Sequence, residues 1–293
     1  PDRTASPTMT IFTPPLSLRA ALDRAARVLS PTSRSARVDA EVLVRHVSGA
    51  TRAEIMADAE RALSDDACLA LTRLVERRRR GEPIAYLVGS REFWSLDLRV
   101  SPATLIPRPE TELLVERALA RLTLSAEDRV ADLGTGSGAV ALAIARERPR
   151  ATVVATDQAE AALAVARANA QRLGIGNVEF LAGDWLAPLG GRRFTLIASN
   201  PPYVRADDPH LHDGDVRFEP RAALIGGMDG LDAIRRIIAG AHEHLVGEGW
   251  LLIEHGFDQA SAVRALLADR GYRAICTYKD LAGRERVTEA LAP

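Results

Sequence analysis

The apolar run Thr195-Leu196-Ile197-Ala198-Ser199 leads straight into Asn200-Pro201-Pro202-Tyr203. Neither proline can donate to a sheet ladder and each fixes φ at about −65°, so a strand must stop there. Pro201 also pushes Asn200 away from helical backbone, and Pro202 does the same to Pro201. The result is a stiff corner in which the Asn200 side-chain oxygen and the Pro201 carbonyl can face one point. A planar NH2 group carries two protons in one plane and suits two such acceptors. Tyr203 would add a flat wall beside them. Asn-Pro is also an ordinary turn signal, and taken alone the stretch fits a plain β-turn as well.

A second strand end shifts the balance toward chemistry. Asp132-Leu133-Gly134-Thr135-Gly136-Ser137-Gly138 closes one apolar strand and opens a helix. Glycines there let the chain turn sharply and let a ligand approach the main chain. The spacing is G-x-G-x-G, not the G-x-G-x-x-G of a dinucleotide fingerprint, which disfavours pyrophosphate. An acid before the first glycine (Asp132) suits a ligand bearing an ammonium group. Asp157 ends the next strand 23 residues past Gly134, close to the ~20-residue offset of a carboxylate that takes ribose hydroxyls. It could equally be a plain helix N-cap. At the third strand end, Asp184 or its neighbouring backbone can read an adenine amine, and Trp185 can stack on the ring or simply fill the core. Ligands of open α/β sheets bind at the carboxyl ends of strands. S-adenosylmethionine, an adenosine compound without phosphates, fits all three ends, with its methyl directed at Asn200.

Taken together these motifs resemble the class I S-adenosylmethionine-dependent methyltransferases that act on amino groups of planar systems. Ile106-Pro107-Arg108-Pro109-Glu110-Thr111-Glu112, Gly81-Glu82-Pro83-Ile84-Ala85-Tyr86 and Gly226-Gly227-Met228-Asp229-Gly230-Leu231 narrow the likeness. They resemble the release factor glutamine methyltransferases, the HemK/PrmC family, from about residue 16 to 290. The resemblance implies methylation of the glutamine side-chain nitrogen (N5) in the Gly-Gly-Gln motif of class 1 peptide chain release factors 1 and 2, with S-adenosylhomocysteine as product. By that likeness Gly134, Thr135, Gly136, Ser137 and Gly138 form the cofactor loop. Asp132, Asp157, Asp184, Trp185, Asn200 and Arg108 would also touch the cofactor. Asn200, Pro201, Pro202 and Tyr203 would form the substrate clamp, and Thr111 would approach the cofactor beside Arg108. Asn-Pro-Pro-Tyr is shared with adenine-N6 DNA methyltransferases. A nucleic-acid substrate is the alternative, and an NAD-dependent oxidoreductase or nucleotide-binding adaptor a third.

The elements that must position these residues follow from periodicity. Residues 1–15 read as a loose tail. Residues 16–83 carry helical spacing, with Leu18, Leu22, Ala25 and Leu29 behind the N-cap Ser17, Gly49 as a stop, and a stripe at Leu71, Leu74 and Val75. The run Arg77 to Arg80 could bind phosphate but fits a solvated helix end. Residues 84–106 switch to period two at Phe93, Leu96, Leu98 and Val100 and read as a hairpin linking two domains. From 107 to 293 the chain alternates strand and helix. Val130–Leu133, Thr152–Thr156, Val178–Leu181, Phe194–Ala198 and Trp250–Ile253 are the parallel strands. Helices lie at 139–148, 159–173, 230–245 and 259–270. Tyr272–Lys279 and Arg286–Ala290 read as an antiparallel edge pair. The expected fold is α/β: a Rossmann-like seven-stranded methyltransferase sheet with that edge pair, plus an N-terminal helical bundle.

Composition excludes some classes. With 293 residues, 47% apolar and 26% charged, the chain suits a two-domain globular protein. A net charge of −1 and no basic target-recognition region speak against a nucleic-acid partner. Cys68 and Cys276 fall on a helix and a strand of different domains, forming neither a disulfide framework nor a zinc site, so a cytoplasmic protein is expected. No apolar run is long enough for a membrane span or a signal peptide. No metal is expected: His210 and His212 sit in a long loop, 204–229, read as a lid or docking segment. His242 and His244 lie two apart on a helix and face different sides. His255 could touch the cofactor pocket or sit at the edge. A monomer is the default expectation.

Overall fold

The computed structural model describes residues 11–123 and 128–293; the first ten residues of the expected tail lie outside them. The chain divides into two compact units, Pro1–Gly89 and Ser90–Pro293.

The first unit is a helical bundle: α1 (Leu18–Leu29), α2 (Ala36–Ser48), α3 (Arg52–Ala57), α4 (Asp65–Arg79) and α5 (Ile84–Val88). Ser17 caps α1 by accepting from the Ala20 amide, and Leu18, Ala21, Leu22, Ala25 and Leu29 form its buried stripe. Thr51 and Glu54 make a reciprocal capping box on α3. The arginine run ending α4 is in part structural. Arg78 reaches the largely buried Asp39 at 2.7 Å, and Arg77 pairs with Glu82. Residues 84–88 do not begin the hairpin: Ile84, Ala85 and Leu87 favour helix, and Gly89 closes the turn with left-handed backbone.

The hairpin belongs to the second unit. Its strands are β1 (Ser90–Phe93) and β2 (Leu96–Arg99), joined by Trp94 and Ser95, both with positive φ. That is the twist a two-residue hairpin needs. Glu112 accepts from the Trp94 amide and Glu147 from its indole N–H, which holds the unusual turn. Phe93, Leu96 and Leu98 bury into the same core as the main sheet.

Then follow α6 (Glu112–Arg121), β3 (Arg129–Leu133), α7 (Ala139–Glu147), β4 (Thr152–Asp157), α8 (Glu160–Leu173), β5 (Val178–Ala182) and β6 (Phe194–Ser199). The chain ends with α9 (Asp232–Ala241), β7 (Leu245–Glu254), α10 (Ala260–Asp269), β8 (Arg273–Lys279) and β9 (Glu285–Leu291). The sheet order is β5-β4-β3-β6-β7-β9-β8, with β3 to β7 parallel and β9 antiparallel to both neighbours. Each central strand feeds two cores by alternation. Val130, Val153, Ala155, Leu196 and Ala198 face one layer; Ala131, Leu133, Val154 and Ile197 face the other. Strand order reverses direction between β3 and β6, which opens a crevice at their carboxyl ends.

Strand β7 begins five residues earlier than its apolar pattern indicates. Gly247 and Gly249 flank Glu248, whose φ is 62°, and the pairing register with β6 shifts between Phe194 and Leu196. A bulge of this kind reads as a turn in sequence.

Candidate active site

The two motif-bearing strand ends are level. Leu133 pairs with Ser199 in the β3–β6 ladder, and the Ser199 hydroxyl donates to the Leu133 carbonyl at 2.8 Å. Residues 134 and 200 therefore leave the sheet side by side. Between them lies a crevice bordered by Gly134, Gly136, Asp157, Trp185, Asn200 and Pro202. A smaller recess beside it is walled by Asp132, Thr135, Ser137, Arg108, Thr111 and again Asn200.

The glycine loop is held mainly through its backbone. The amides of Gly134 and Thr135 both donate to the Thr156 carbonyl at 2.9 Å, and Gly138 donates to Thr135. Asp132, nearly fully buried, accepts from the Thr135 hydroxyl at 2.6 Å and from the Ala141 amide at 3.1 Å. Burial pushes its carboxyl up to about 6, against those two donors, which favour the charge. Asp157 accepts from the Gly136 amide and, through its other oxygen, from the Ala159 amide, both at 2.9 Å. The cap-like role and the crevice-facing role coexist, because a carboxylate has about four lone-pair sites.

Trp185 stands against the loop. A Cβ on Gly134 would lie 3.0 Å from its Cζ3, and its far side packs in the second core. Its backbone has φ 46°, and its carbonyl receives the Thr156 hydroxyl at 3.0 Å. Asp184 borders the crevice and pairs with Arg236 of α9.

At the corner, the Asn200 Nδ2 donates to the Thr111 hydroxyl at 3.1 Å, which leaves Oδ1 as an acceptor. Pro201 is buried. Tyr203 differs from the sequence expectation of a wall in the crevice. It packs behind the corner in the second core, with its hydroxyl 3.4 Å from Glu254 and its carbonyl receiving Gln259 Nε2 at 3.0 Å. A buried phenol needs a polar partner, and Glu254 supplies it on the far side. Burial and the Glu254 charge push the Tyr203 hydroxyl pKa up.

Several supporting residues escape motif reading. Glu219, whose side chain is fully buried, pairs with Arg108 and accepts from the Ile106 amide at 3.1 Å. It fastens the Pro-Arg-Pro segment to the loop after the corner. That loop is closed at its neck by the Val204–Ile225 bridge and contributes Pro220, Ala222 and Ala223 to the crevice. Gly226 and Gly230 lie against the carbonyls of Pro202 and Tyr203. Asn169 of α8, fully buried, donates to the Ser137 carbonyl at 2.9 Å and brackets Arg99 of the hairpin. Its helical spacing from Ala162 and Ala166 was a legible sign that it faces inward.

The histidines stay apart from the crevice lining. His255 is buried, with Nδ1 donating to the Gly256 carbonyl at 2.9 Å and Nε2 2.8 Å from the Thr288 hydroxyl. Burial lowers its pKa. His210 is exposed and pairs with Asp208. Among the described residues no group of three His, Cys, Asp or Glu side chains is placed to hold a metal ion, and no helix is long and apolar enough to cross a membrane.

Residues 20–89 match the family model of the PrmC N-terminal domain, and residues 109–213 that of the methyltransferase small domain. The chain is 54% identical to the release factor glutamine methyltransferase of Pseudomonas aeruginosa, over 88% of this chain and 93% of that one. With the enzyme of the same name from Escherichia coli the identity is 51%, over 87% and 92%. Among solved structures it is similar in fold to the T. thermophilus 16S rRNA N2 G1207 methyltransferase determined with AdoMet and guanosine. The TM-score is 0.52 and the identity 21%, over 70% of this chain and 50% of that one. Two level strand ends around one crevice and half-identity along nearly the whole chain agree: this protein is a member of the release factor glutamine methyltransferases.

Proposed function

We propose that the protein transfers the methyl group of S-adenosylmethionine to the side-chain amide nitrogen of the Gly-Gly-Gln glutamine in class 1 release factors, with release factors 1 and 2 both as substrates. The observation that carries this reading is the Asn200 amide. Its NH2 is spent on Thr111 while its oxygen remains an acceptor at the crevice, level with the glycine loop.

The residues fit the cofactor. The space where a Gly136 side chain would stand is open, so a ligand can lie on bare backbone. Asp157 and Asp184 offer acceptors for ribose hydroxyls and an adenine amine, Trp185 a flat face, and Asp132 and Arg108 border the recess. When bound, S-adenosylmethionine supplies an electrophilic methyl carbon on a sulfonium.

The chain's own residues do the rest. An amide nitrogen is a poor nucleophile because its lone pair is delocalised into the carbonyl. Asn200 Oδ1 and the Pro201 carbonyl accept its two protons, fix its direction and favour the pyramidal form in which the lone pair returns to nitrogen. Positioning of this kind is worth about 7–11 kcal/mol in ideal cases, and acceptors preorganised toward the developing positive charge add to it. The released proton goes to water. The helical unit of residues 16–83 recognises the protein substrate, and the enzyme acts as a cytoplasmic monomer.

The test uses labelled S-adenosylmethionine with purified release factor or with DNA. Label is expected on release factor. Asn200→Ala should lower turnover by about 10²–10³ while cofactor affinity, measured by calorimetry, changes little. Near-normal turnover in that variant refutes the clamp, and label on DNA instead of protein favours an adenine-N6 activity.

A further inference from the structure

One buried side-chain amide holds the crevice together without bordering it. Asn169 of α8 is fully buried. Its Oδ1 accepts from the Arg99 amide at 2.7 Å. Its Nδ2 donates to the Arg99 carbonyl at 3.0 Å and to the Ser137 carbonyl at 2.9 Å. Both of its N–H donors are therefore used, and all three partners are backbone groups.

Those partners lead to separate walls of the crevice. Arg99 is the last residue of β2. Just beyond it the Thr104 amide donates to the Ser101 carbonyl at 2.9 Å, and this turn presents Ala103, Thr104 and Leu105 to the crevice. Ser137 belongs to the glycine loop. The peptide carrying its carbonyl is pinned at its other end too, since the Gly138 amide donates to the Thr135 carbonyl at 2.9 Å. The third wall is α8 itself, through Ala159 and Ala162. Asn169 lies on the same buried face as Ala162 and Ala166, two turns on from Ala162. The glycine loop leans on that face: a Cβ on Gly138 would stand 3.2 Å from the Ala166 Cβ.

The fold makes this joint necessary. The hairpin is a two-stranded sheet of its own, so β2 has an open edge whose N–H and C=O groups need partners. Asn169 supplies both for Arg99, as one more strand residue would. We propose that Asn169 is a positioning residue for the cofactor: it fixes the spacing between the glycine loop and the 103–105 wall, and with it the affinity for S-adenosylmethionine. This rests on the methyl-transfer reading above. The Asn200 clamp leaves a different strand, β6, and is held by Thr111 and Gln259, so the chemical step is spared.

Side-chain chemistry ranks the variants. Asn169→Asp keeps the shape but turns both donors into acceptors facing two carbonyl oxygens, which leaves them unpaired. Asn169→Ala empties the space, and a water can enter to meet the three backbone groups. A hydrogen-bonding joint makes the aspartate variant the worse binder; mere filling of space makes the alanine variant the worse.

The test is calorimetry with S-adenosylmethionine and steady-state methylation of release factor, each run below the melting temperature of the protein used. Asn169→Asp should raise both Kd and KM for S-adenosylmethionine by about tenfold or more, and Asn169→Ala by less. For both variants kcat at saturating cofactor, and KM for release factor, should stay within about twofold of wild type. Arg172→Ala removes only the exposed pair between α8 and Asp97 of β2 and should bind cofactor like the wild type. The wild type alone gives a further measurement. On adding S-adenosylmethionine, hydrogen exchange at the Arg99 amide should slow along with that at the Gly136 amide in the crevice. That measurement decides if Asn169→Asp does not fold. Unchanged affinity in Asn169→Asp, weaker binding by Asn169→Ala than by Asn169→Asp, or an Arg99 amide that stays unmoved while Gly136 slows overturns the joint alone. A wild type that neither binds S-adenosylmethionine nor labels release factor overturns the methyl-transfer reading, and the joint with it.

Discussion

The two strand ends that meet at the crevice are held by opposite means. At the end of β3 the chain is bare: glycines, amides and one buried aspartate, with bonds reaching Thr156 and Asp157 on the neighbouring strand. At the end of β6 the chain is crowded. Two prolines are braced by partners far away in sequence, Asn200 by Thr111 across 89 residues and the Tyr203 carbonyl by Gln259 across 56. A surface that grips a small ligand through its main chain must keep side chains away. A corner that aims two acceptors at one nitrogen must not move, and rigidity there comes from dense packing behind it.

Two glycines separate these demands, and the larger effect belongs to the braced side. Gly230 has φ 77°, and a Cβ there would lie 2.3 Å from the Tyr203 carbonyl oxygen and 2.6 Å from Gln259 Nε2. Gly230→Ala combines left-handed strain with a clash against backbone and is expected to destabilise by about 2–5 kcal/mol. That is a fall in melting temperature of about 4–20 °C for a unit of this size. A variant melting with the wild type would show that the corner is not braced from behind.

Gly136 should behave the other way. Its φ is 58°, and nothing lies within 4 Å of an added Cβ. Gly136→Ala carries only the left-handed penalty of about 1–2 kcal/mol, yet its methyl enters the crevice. Affinity for S-adenosylmethionine is expected to drop about tenfold or more, which is 1.4 kcal/mol or above. If calorimetry found full affinity, the bare loop would not be the ligand-facing surface.

The same contrast explains what could be read without coordinates. The β3 side was legible because its supports are local: the G-x-G-x-G spacing, Asp132 before it and Asp157 on the next strand lie within one βαβ unit. The parallel strands were legible wherever apolar alternation was unbroken, and β7 was truncated where Gly247 and Gly249 hide a bulge. The β6 side was legible only at Asn200-Pro201-Pro202-Tyr203 itself. Glu219, Glu254 and Gln259 carry no local motif, since Glu219 and Gln259 each meet a backbone group, and Glu254 the Tyr203 hydroxyl, more than 50 residues away. Tyr203 shows the limit most clearly. Its position in the motif suggests a wall of the crevice, but the apolar layer and a buried acid behind it decide where the ring goes.

The smallest effect concerns the outer lip of the bare side, where Asp184 pairs with Arg236. Both side chains are about half exposed, at 46% and 62%, so the pair is worth at most about 1 kcal/mol and is screened by salt. Stability of Arg236→Ala should stay within that margin. Ligand affinity should move in an informative direction. If the Asp184 carboxylate accepts from an adenine amine, Arg236 competes for it, and Arg236→Ala should raise affinity for S-adenosylmethionine by up to about fivefold at low ionic strength. The gain should vanish by about 0.5 M salt, where the Debye length falls well below 8 Å. An affinity loss that persists in salt would instead make the arginine stem part of the wall against which the ligand packs. Asp184 would then be a support for that wall, and the base would be read by backbone beside Trp185.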